Sequence, residues 1–193
     1  MEEKRKSRFS WYAVIGGIIF VAVCTSVILK FLSQARIAND ELIAEHVVKL
    51  QQIFKQIDDS CKITALRRPH DHIDYLTVIS FAGSVVGPLN LLEPKNWQGP
   101  YVEESLTMNG KEYMLLATKT GLYVVPGNGV KLSNGKIIGK TLILSPQSNI
   151  EQMMHDPQAL LSNNKSLAAR IETHQSVFEA LSKDDFLDEV VEV

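Results

Sequence analysis

The chain is poor in cysteine and balanced in charge. Its two cysteines, Cys24 and Cys61, are too few for a disulfide framework, and Cys24 lies inside a long apolar run, so we expect no intrachain bridge. The 20 basic and 22 acidic residues give a formal charge of -2, which speaks against a nucleic-acid partner. A length of 193 residues is enough for one ordinary domain and a small additional element.

Motifs for catalysis and metal binding are also missing. The sequence contains no nucleophile elbow, phosphate loop or paired-carboxylate motif. The segment "PHDHID" places His70 and His72 in a His-x-His pair, which can ligate a metal when a third ligand lies nearby, but none is evident. We therefore interpret these histidines as solvated loop residues, and we predict a protein that is not an enzyme and needs no cofactor or metal.

The strongest positive signal is an apolar run near the N-terminus. Between Arg8 and Lys30 lie 21 residues without a charge. As a helix they span about 31 Å, enough for a hydrocarbon core of about 30 Å. A cleavable signal peptide would have a small-residue cleavage site soon after its apolar run, but here the run is followed by strong helix formers. We therefore predict an uncleaved transmembrane helix over residues 9–32. The basic flank, residues 1–8, keeps the N-terminus cytoplasmic and exports the rest of the chain, which predicts a single-pass membrane protein.

The helix is predicted to continue beyond the membrane as an amphipathic segment over residues 33–60. Its apolar residues recur at spacings of four, three, four and three, which places them on one face: Ile43, Val47, Leu50, Phe54 and Ile57. Polar residues, Asp40 and Glu41 among them, are expected on the other faces. We expect the apolar stripe to pack on the chain's own domain; a coiled coil with another chain is the alternative.

Residues 61–148 are predicted to form a loop-rich crossover followed by a small antiparallel sheet. A short strand or helix is expected from Tyr75 to Phe81. Three Asn-Gly pairs, beginning at residues 109, 128 and 134, lie beside apolar runs and are typical of hairpin turns. We therefore interpret "KEYMLLAT", "GLYVV" and "GKIIGKTLILS" as strands of a meander that the helix stripe covers.

Residues 149–193 are predicted to be helical, with a short helix interrupted near Pro157 and a longer one from Lys165. From Glu179 onward there are six acidic residues and one lysine. We interpret this end as solvated, with docking on a partner as the alternative. The predicted fold class is thus α+β: a transmembrane helix that extends into a long amphipathic helix, packed on a small antiparallel sheet, with C-terminal helices.

One segment, "LNLLEPKNWQGPYV", resembles a known family. Trp97, Gly99, Pro100 and Tyr101 suit neither a regular helix nor a central strand, and they indicate a loop. A leucine-rich stretch, a proline and then Trp-x-Gly-Pro-Tyr just before a sheet resembles the major pseudopilins of type II secretion and the type IV pilins. The local likeness covers these 14 residues, and the order of elements is similar over residues 9–145. The pilin-like resemblance implies the bacterial inner membrane, with the bulk of the chain periplasmic or extracellular.

The resemblance implies a structural role for this loop. In a pilin-like fold the turn at Gly99 and Pro100 locks the crossover onto the sheet, while the rings of Trp97 and Tyr101 are buried beside the helix. A binding role for the two rings is the alternative.

The N-terminus departs from the pilin pattern. Pilin precursors are cut between a glycine and a phenylalanine, and the mature chain has a glutamate at its fifth position. Here Arg8 precedes Phe9, and Ala13 takes the place of the glutamate. Major pseudopilins also bind calcium after the sheet, but residues 126–145 contain no Asp or Glu, so we assign no metal site.

Two functional hypotheses follow. In the first, the protein is a pilin-like structural or assembly component of a secretion or pilus-type machine, acting through helix packing and contacts with other subunits of an envelope complex or copies of itself. Ala13, Gly16 and Gly17 would then let helices approach closely within the lipid bilayer. In the second, it is a signal-anchored extracytoplasmic binding or scaffold module that does not polymerise. The missing glycine and glutamate favour the second hypothesis, whereas the order of the segments and the Trp97 motif favour the first.

Overall fold

The computed structural model describes residues 3–173 and has an α+β fold, with one long N-terminal helix and small antiparallel sheets. Helix α1 runs over Glu3–Cys61. The chain divides into two compact units, Met1–Ala38 and Asn39–Val193. The predicted acidic end, from Glu179 onward, lies outside the described residues.

The first unit consists of the N-terminal part of α1. Large apolar side chains on several faces are exposed, including Ile18, Phe20 and Phe31. Among the residues described, α1 is the one helix that is long and apolar enough to cross a membrane. Because a helix with apolar side chains on all faces needs an apolar environment, this part of α1 is suited to lipid.

In the second unit, α1 forms one side of the hydrophobic core. The predicted stripe is confirmed, since its five residues are all fully buried: Ile43, Val47, Leu50, Phe54 and Ile57. Burial of each such side chain is worth about 1.5–3 kcal/mol, so the stripe is a large part of the domain's stability. The prediction that Asp40 lies on another face than the stripe is wrong: Asp40 lies three residues before Ile43, on the stripe's own side of the helix, and is buried with hydrogen-bond partners described below.

The described residues after α1 contain eleven short strands. They are β1 (Ile63–Leu66), β2 (His70–His72), β3 (Val85–Val86), β4 (Leu89–Leu91), β5 (Thr107–Met108), β6 (Lys111–Glu112), β7 (Met114–Thr118), β8 (Gly121–Val125), β9 (Leu161–Ser162), β10 (Lys165–Ser166) and β11 (Ala169–Ile171). A short helix, α2, covers Ile150–Met153.

The main sheet is antiparallel and has the strand order β11-β8-β7-β2. Its centre is the β7–β8 hairpin, in which Thr118 pairs with Gly121 and every residue of both strands is buried. The predicted strand "GLYVV" is therefore confirmed as β8. The segment "KEYMLLAT" forms two strands instead of one: β7, which belongs to this sheet, and β6, which pairs with β5. The third predicted strand, "GKIIGKTLILS", is wrong: this segment makes two isolated bridges, and β11 takes the place beside β8.

The Asn-Gly pairs form turns, but only one of them closes a strand hairpin. Asn109 and Gly110 join β5 to β6 with φ angles of 52° and 71°, as a type I′ turn requires. Gly129 and Gly135 also have positive φ, of 92° and 84°, in turns outside the named strands. Asn128 and Asn134 themselves do not have a positive φ, so only the Asn109-Gly110 pair forms the predicted type I′ turn.

The C-terminal helices are largely replaced by strands. Within residues 149–173 only α2 is helical, and the segment predicted as a long helix from Lys165 forms β10 and β11. Asn163 and Asn164, with φ angles of 49° and 60°, make the turn between β9 and β10. Pairing of β11 with the distant β8 outweighs the local helix propensity of "SLAARI". The rest of the predicted helix lies outside the described residues.

The crossover contains a second sheet, with the order β1-β4-β3. Lys62 has a φ of 58°, which ends α1 and turns the chain into β1. A short strand or helix was predicted from Tyr75 to Phe81. The structure has a 3-10 turn, Asp74–Thr77, in the first half of this stretch. These elements position the loop that contains Trp97.

Candidate functional site

The residues before Trp97 cap the end of α1. The backbone N–H of Glu93 donates to the backbone carbonyl oxygen of Cys61 at 2.9 Å. The side-chain amide of Asn96 donates to the backbone carbonyl oxygen of Ser60 at 3.0 Å. The last carbonyl groups of a helix have no partner within the helix. The loop therefore satisfies two of them and fixes its own position against α1.

Trp97 joins this loop to the crossover. Its indole Nε1–H donates to the carbonyl oxygen of Val78 at 3.0 Å. Its ring meets Phe81 and Tyr101 edge to face, with centroid distances of 5.3 and 4.8 Å. We call Phe81, Trp97 and Tyr101 the Trp97 cluster. All three rings are half-buried and pack against the core, so they are less enclosed than the predicted structural role implied.

Gly99 and Pro100 form the turn inside the cluster. The peptide bond between them is cis. A β-carbon on residue 99 would lie 2.2 Å from the carbonyl oxygen of Val78 and 2.4 Å from the indole nitrogen of Trp97, so only glycine fits. The next residue, Tyr101, donates its N–H to the carbonyl oxygen of Leu76 at 2.9 Å. The loop is thus bonded to the 3-10 turn and the residues after it.

Three apolar residues on and near this loop are exposed, among polar neighbours such as Glu93 and Lys95. Leu92 is 64% exposed, Ile79 beside Val78 is strongly exposed, and Pro100 also faces solvent. Burial raises the pKa of the Tyr101 phenol, so it stays protonated at neutral pH. Aromatic residues of this kind are enriched at protein–protein interfaces in general.

The histidines of "PHDHID" lie on the edge strand β2. His70 and His72 are exposed, and the Nδ1 of His72 is 3.5 Å from a carboxylate oxygen of Glu112. Asp71 pairs with Arg68 at 3.7 Å. Within residues 3–173, no group of three or more His, Cys, Asp or Glu side chains is placed to hold a metal ion.

Asp40 makes a buried contact that the sequence pattern missed. Its carboxylate accepts from the backbone N–H of Ser133 at 3.1 and 3.2 Å and also from the Ser133 hydroxyl. The side chain is only 2% exposed. Beside it, Lys165 pairs with Glu41 at 2.6 Å on the surface and lowers the pKa of that carboxyl. These bonds hold the loop around Ser133 and strand β10 to α1.

His46 and Tyr113 form a second contact that the sequence did not indicate. The hydroxyl of Tyr113 is 3.0 Å from the Nδ1 of His46, and the two rings lie edge to face. Burial raises the pKa of Tyr113, so the phenol remains protonated and donates. Burial, with Lys49 adding to it, lowers the pKa of His46, which favours the neutral ring that accepts this bond.

The small residues predicted to pack in the membrane lie in the first unit. Ala13, Gly16 and Gly17 are all within α1. At Gly16 and Gly17 a β-carbon would have no other atom within 4 Å. The backbone there is open to the approach of another helix.

No family model, curated protein or solved structure matches this chain. A functional proposal therefore rests on the chain's own residues.

Proposed function

We propose that the protein is a membrane-anchored, pilin-like structural or assembly component of a secretion or pilus-type machine. It acts through helix packing and protein–protein contacts. One observation carries the proposal: α1 contains both an apolar, exposed stretch of membrane-spanning length and the stripe that is buried in an antiparallel-sheet domain. Such a helix serves as anchor, as packing surface and as part of the domain.

The membrane part supplies the packing surface. Gly16 and Gly17 allow close approach of backbones, and with Ala13 they give a face through which copies of the protein associate in the bilayer. The basic residues before Phe9 keep the N-terminus in the cytoplasm and export the domain.

The domain supplies a rigid contact surface. The Trp97 cluster and the cap on α1 hold the crossover loop in one position. Exposed apolar residues on the crossover and on the loop before Trp97, namely Ile79 and Leu92, are then available to other subunits of an envelope complex.

A second candidate function is a signal-anchored scaffold that does not polymerise. Arg8 and Ala13, which replace the glycine and glutamate of the pilin pattern, favour it. In this role the N-terminus stays intact, and the domain works at the membrane surface.

The mass and N-terminal sequence of the protein from membranes of its own host separate the two candidates. A chain that begins at Phe9 supports the polymerising component, and a chain that keeps Met1 supports the scaffold. An Arg8→Gly variant is the matched control, because it restores the pilin residue before the cleavage point. Recovery of the protein in the soluble fraction after carbonate washing would contradict both candidates.

A further inference from the structure

We propose that the C-terminal segment, residues 174–193, docks in a groove between α1 and β11 of the same molecule. The groove lies within the second unit and has a volume of about 720 Å³. Its α1 side runs from Ala44 to Gln52, and its other side runs from Lys165 to Arg170. This proposal is independent of the proposed function.

The floor of the groove is apolar. Val48 is 49% exposed there, although it lies on the helix that forms the core, and the small residues around it are already buried: Ala44, Ala168 and Ala169. An apolar floor with polar residues at its rim is typical of a docking surface. Residues 174–193 contain matching apolar side chains, among them Phe178, Leu181 and Phe186.

The rim of the groove is cationic. Lys49, Lys165 and Arg170 line it, against a single carboxylate, Glu45. Lys165 already pairs with Glu41, but within residues 3–173 neither Lys49 nor Arg170 forms an ion pair. The C-terminal segment carries six acidic residues and one lysine from residue 179 onward. The charges of groove and segment are therefore complementary.

The described chain ends beside the groove. Glu172 lines an adjoining depression together with Gln51, Gln52 and Lys55 of α1. From Ala44 to Gln52 the helix rises about 12 Å, whereas each residue of an extended chain covers about 3.3 Å. The 20 residues that follow Thr173 are thus long enough to turn back and fill the groove.

The free edge of β11 is already occupied. The side-chain amide of Gln51 donates to the carbonyl oxygen of Arg170 at 2.6 Å. An added strand would have to displace this bond. The segment therefore binds through its side chains over the apolar floor rather than as a further strand of the sheet.

Disulfide trapping in the full chain, in detergent micelles, tests this docking. In a Cys24→Ser background, Val48→Cys is combined with Leu181→Cys, while buried Cys61 is left in place. We expect an internal disulfide, seen as a faster-migrating monomer. The control pair is Leu42→Cys with Leu181→Cys, because Leu42 is 41% exposed on α1 but does not line the groove. The first pair should form about tenfold faster, since docking raises the local concentration.

Further variants keep the outcome decisive. Gln52→Cys with Leu181→Cys repeats the test at a second lining position. Adding Lys49→Glu and Arg170→Glu, or raising the salt concentration, should slow trapping toward the control rate. Equal rates at Val48 and Leu42 would overturn the docking. A disulfide-linked dimer in place of the internal bond would also overturn it, because the occupant would then be the segment of a second copy.

Discussion

Gly99 passes so close to Val78 that a β-carbon on residue 99 would lie 2.2 Å from the carbonyl oxygen of Val78. The loop must therefore move if residue 99 gains a side chain. We expect Gly99→Ala to lower the free energy of unfolding by about 2 kcal/mol, measured by urea unfolding of the full chain in detergent. Gln98→Ala, at the exposed neighbouring position, should stay within about 0.5 kcal/mol of wild type. An equal loss in both variants would contradict this account of the loop.

Trp97 contributes both a hydrogen bond and a packed ring. Trp97→Phe removes the bond to Val78 and should cost about 1 kcal/mol of unfolding free energy. Trp97→Ala also removes the ring contacts with Phe81 and Tyr101 and should cost about 3 kcal/mol. The control is Leu92→Ala, which removes an exposed side chain and should leave the unfolding free energy almost unchanged. A fully stable Trp97→Ala protein would show that the ring serves a partner instead of the fold.

Asp40 is expected to be the most sensitive polar residue of α1. Asp40→Ala leaves the backbone N–H and hydroxyl of Ser133 without their acceptor, which should cost about 3 kcal/mol of unfolding free energy. The next residue provides the control. Glu41→Gln weakens a surface pair with Lys165 and should leave the unfolding midpoint almost unchanged. Similar losses of unfolding free energy in Asp40→Ala and Glu41→Gln would show that the buried Asp40 contact stabilises the fold no more than the surface pair does.

The His46 contact predicts a pH dependence of stability. Because the folded pKa of His46 lies below that of the unfolded chain, about 6.5, the unfolded state binds the proton more readily. Neutral His46 therefore makes its full contribution to the free energy of unfolding above about pH 7, and this contribution is lost as the pH falls toward the folded pKa. Unfolding midpoints at a series of pH values should fall less steeply in His46→Gln than in wild type. His70→Gln, at an exposed edge position, should keep the wild-type slope.

Local sequence patterns were sufficient to predict the elements that show a clear periodicity or run of apolar residues. The spacing of Ile43 to Ile57 predicted the buried face of α1, and the run "GLYVV" predicted β8. In both cases the periodicity of apolar residues reflects burial against a single surface.

Long-range contacts account for what the sequence did not predict. β11 was expected to be helical, because nothing local indicates its pairing with β8. From the sequence alone, Asp40 could not be distinguished from a solvated residue, because its partner Ser133 lies 93 residues away in the chain. The Trp97 loop was recognised from its residue types, but its bond to Val78 depends on where the crossover folds.

We propose above that the protein acts through packing of α1 in the membrane. On an ideal helix, native Cys24 lies on the same face as Gly16 and Gly17, whereas Ile15 and Ile18 lie on the opposite face. Cysteine cross-linking along α1 can therefore locate the packing face in intact membranes.

The most direct measurement is oxidation of membranes that contain the full-length protein, followed by detection of disulfide-linked dimers. We predict a dimer through Cys24 that is absent in Cys24→Ser. In the Cys24→Ser background, Gly16→Cys and Gly17→Cys should restore it several-fold more than Ile15→Cys and Ile18→Cys. Equal cross-linking on both faces, or no dimer at any position, would contradict the proposal that this helix face carries the function.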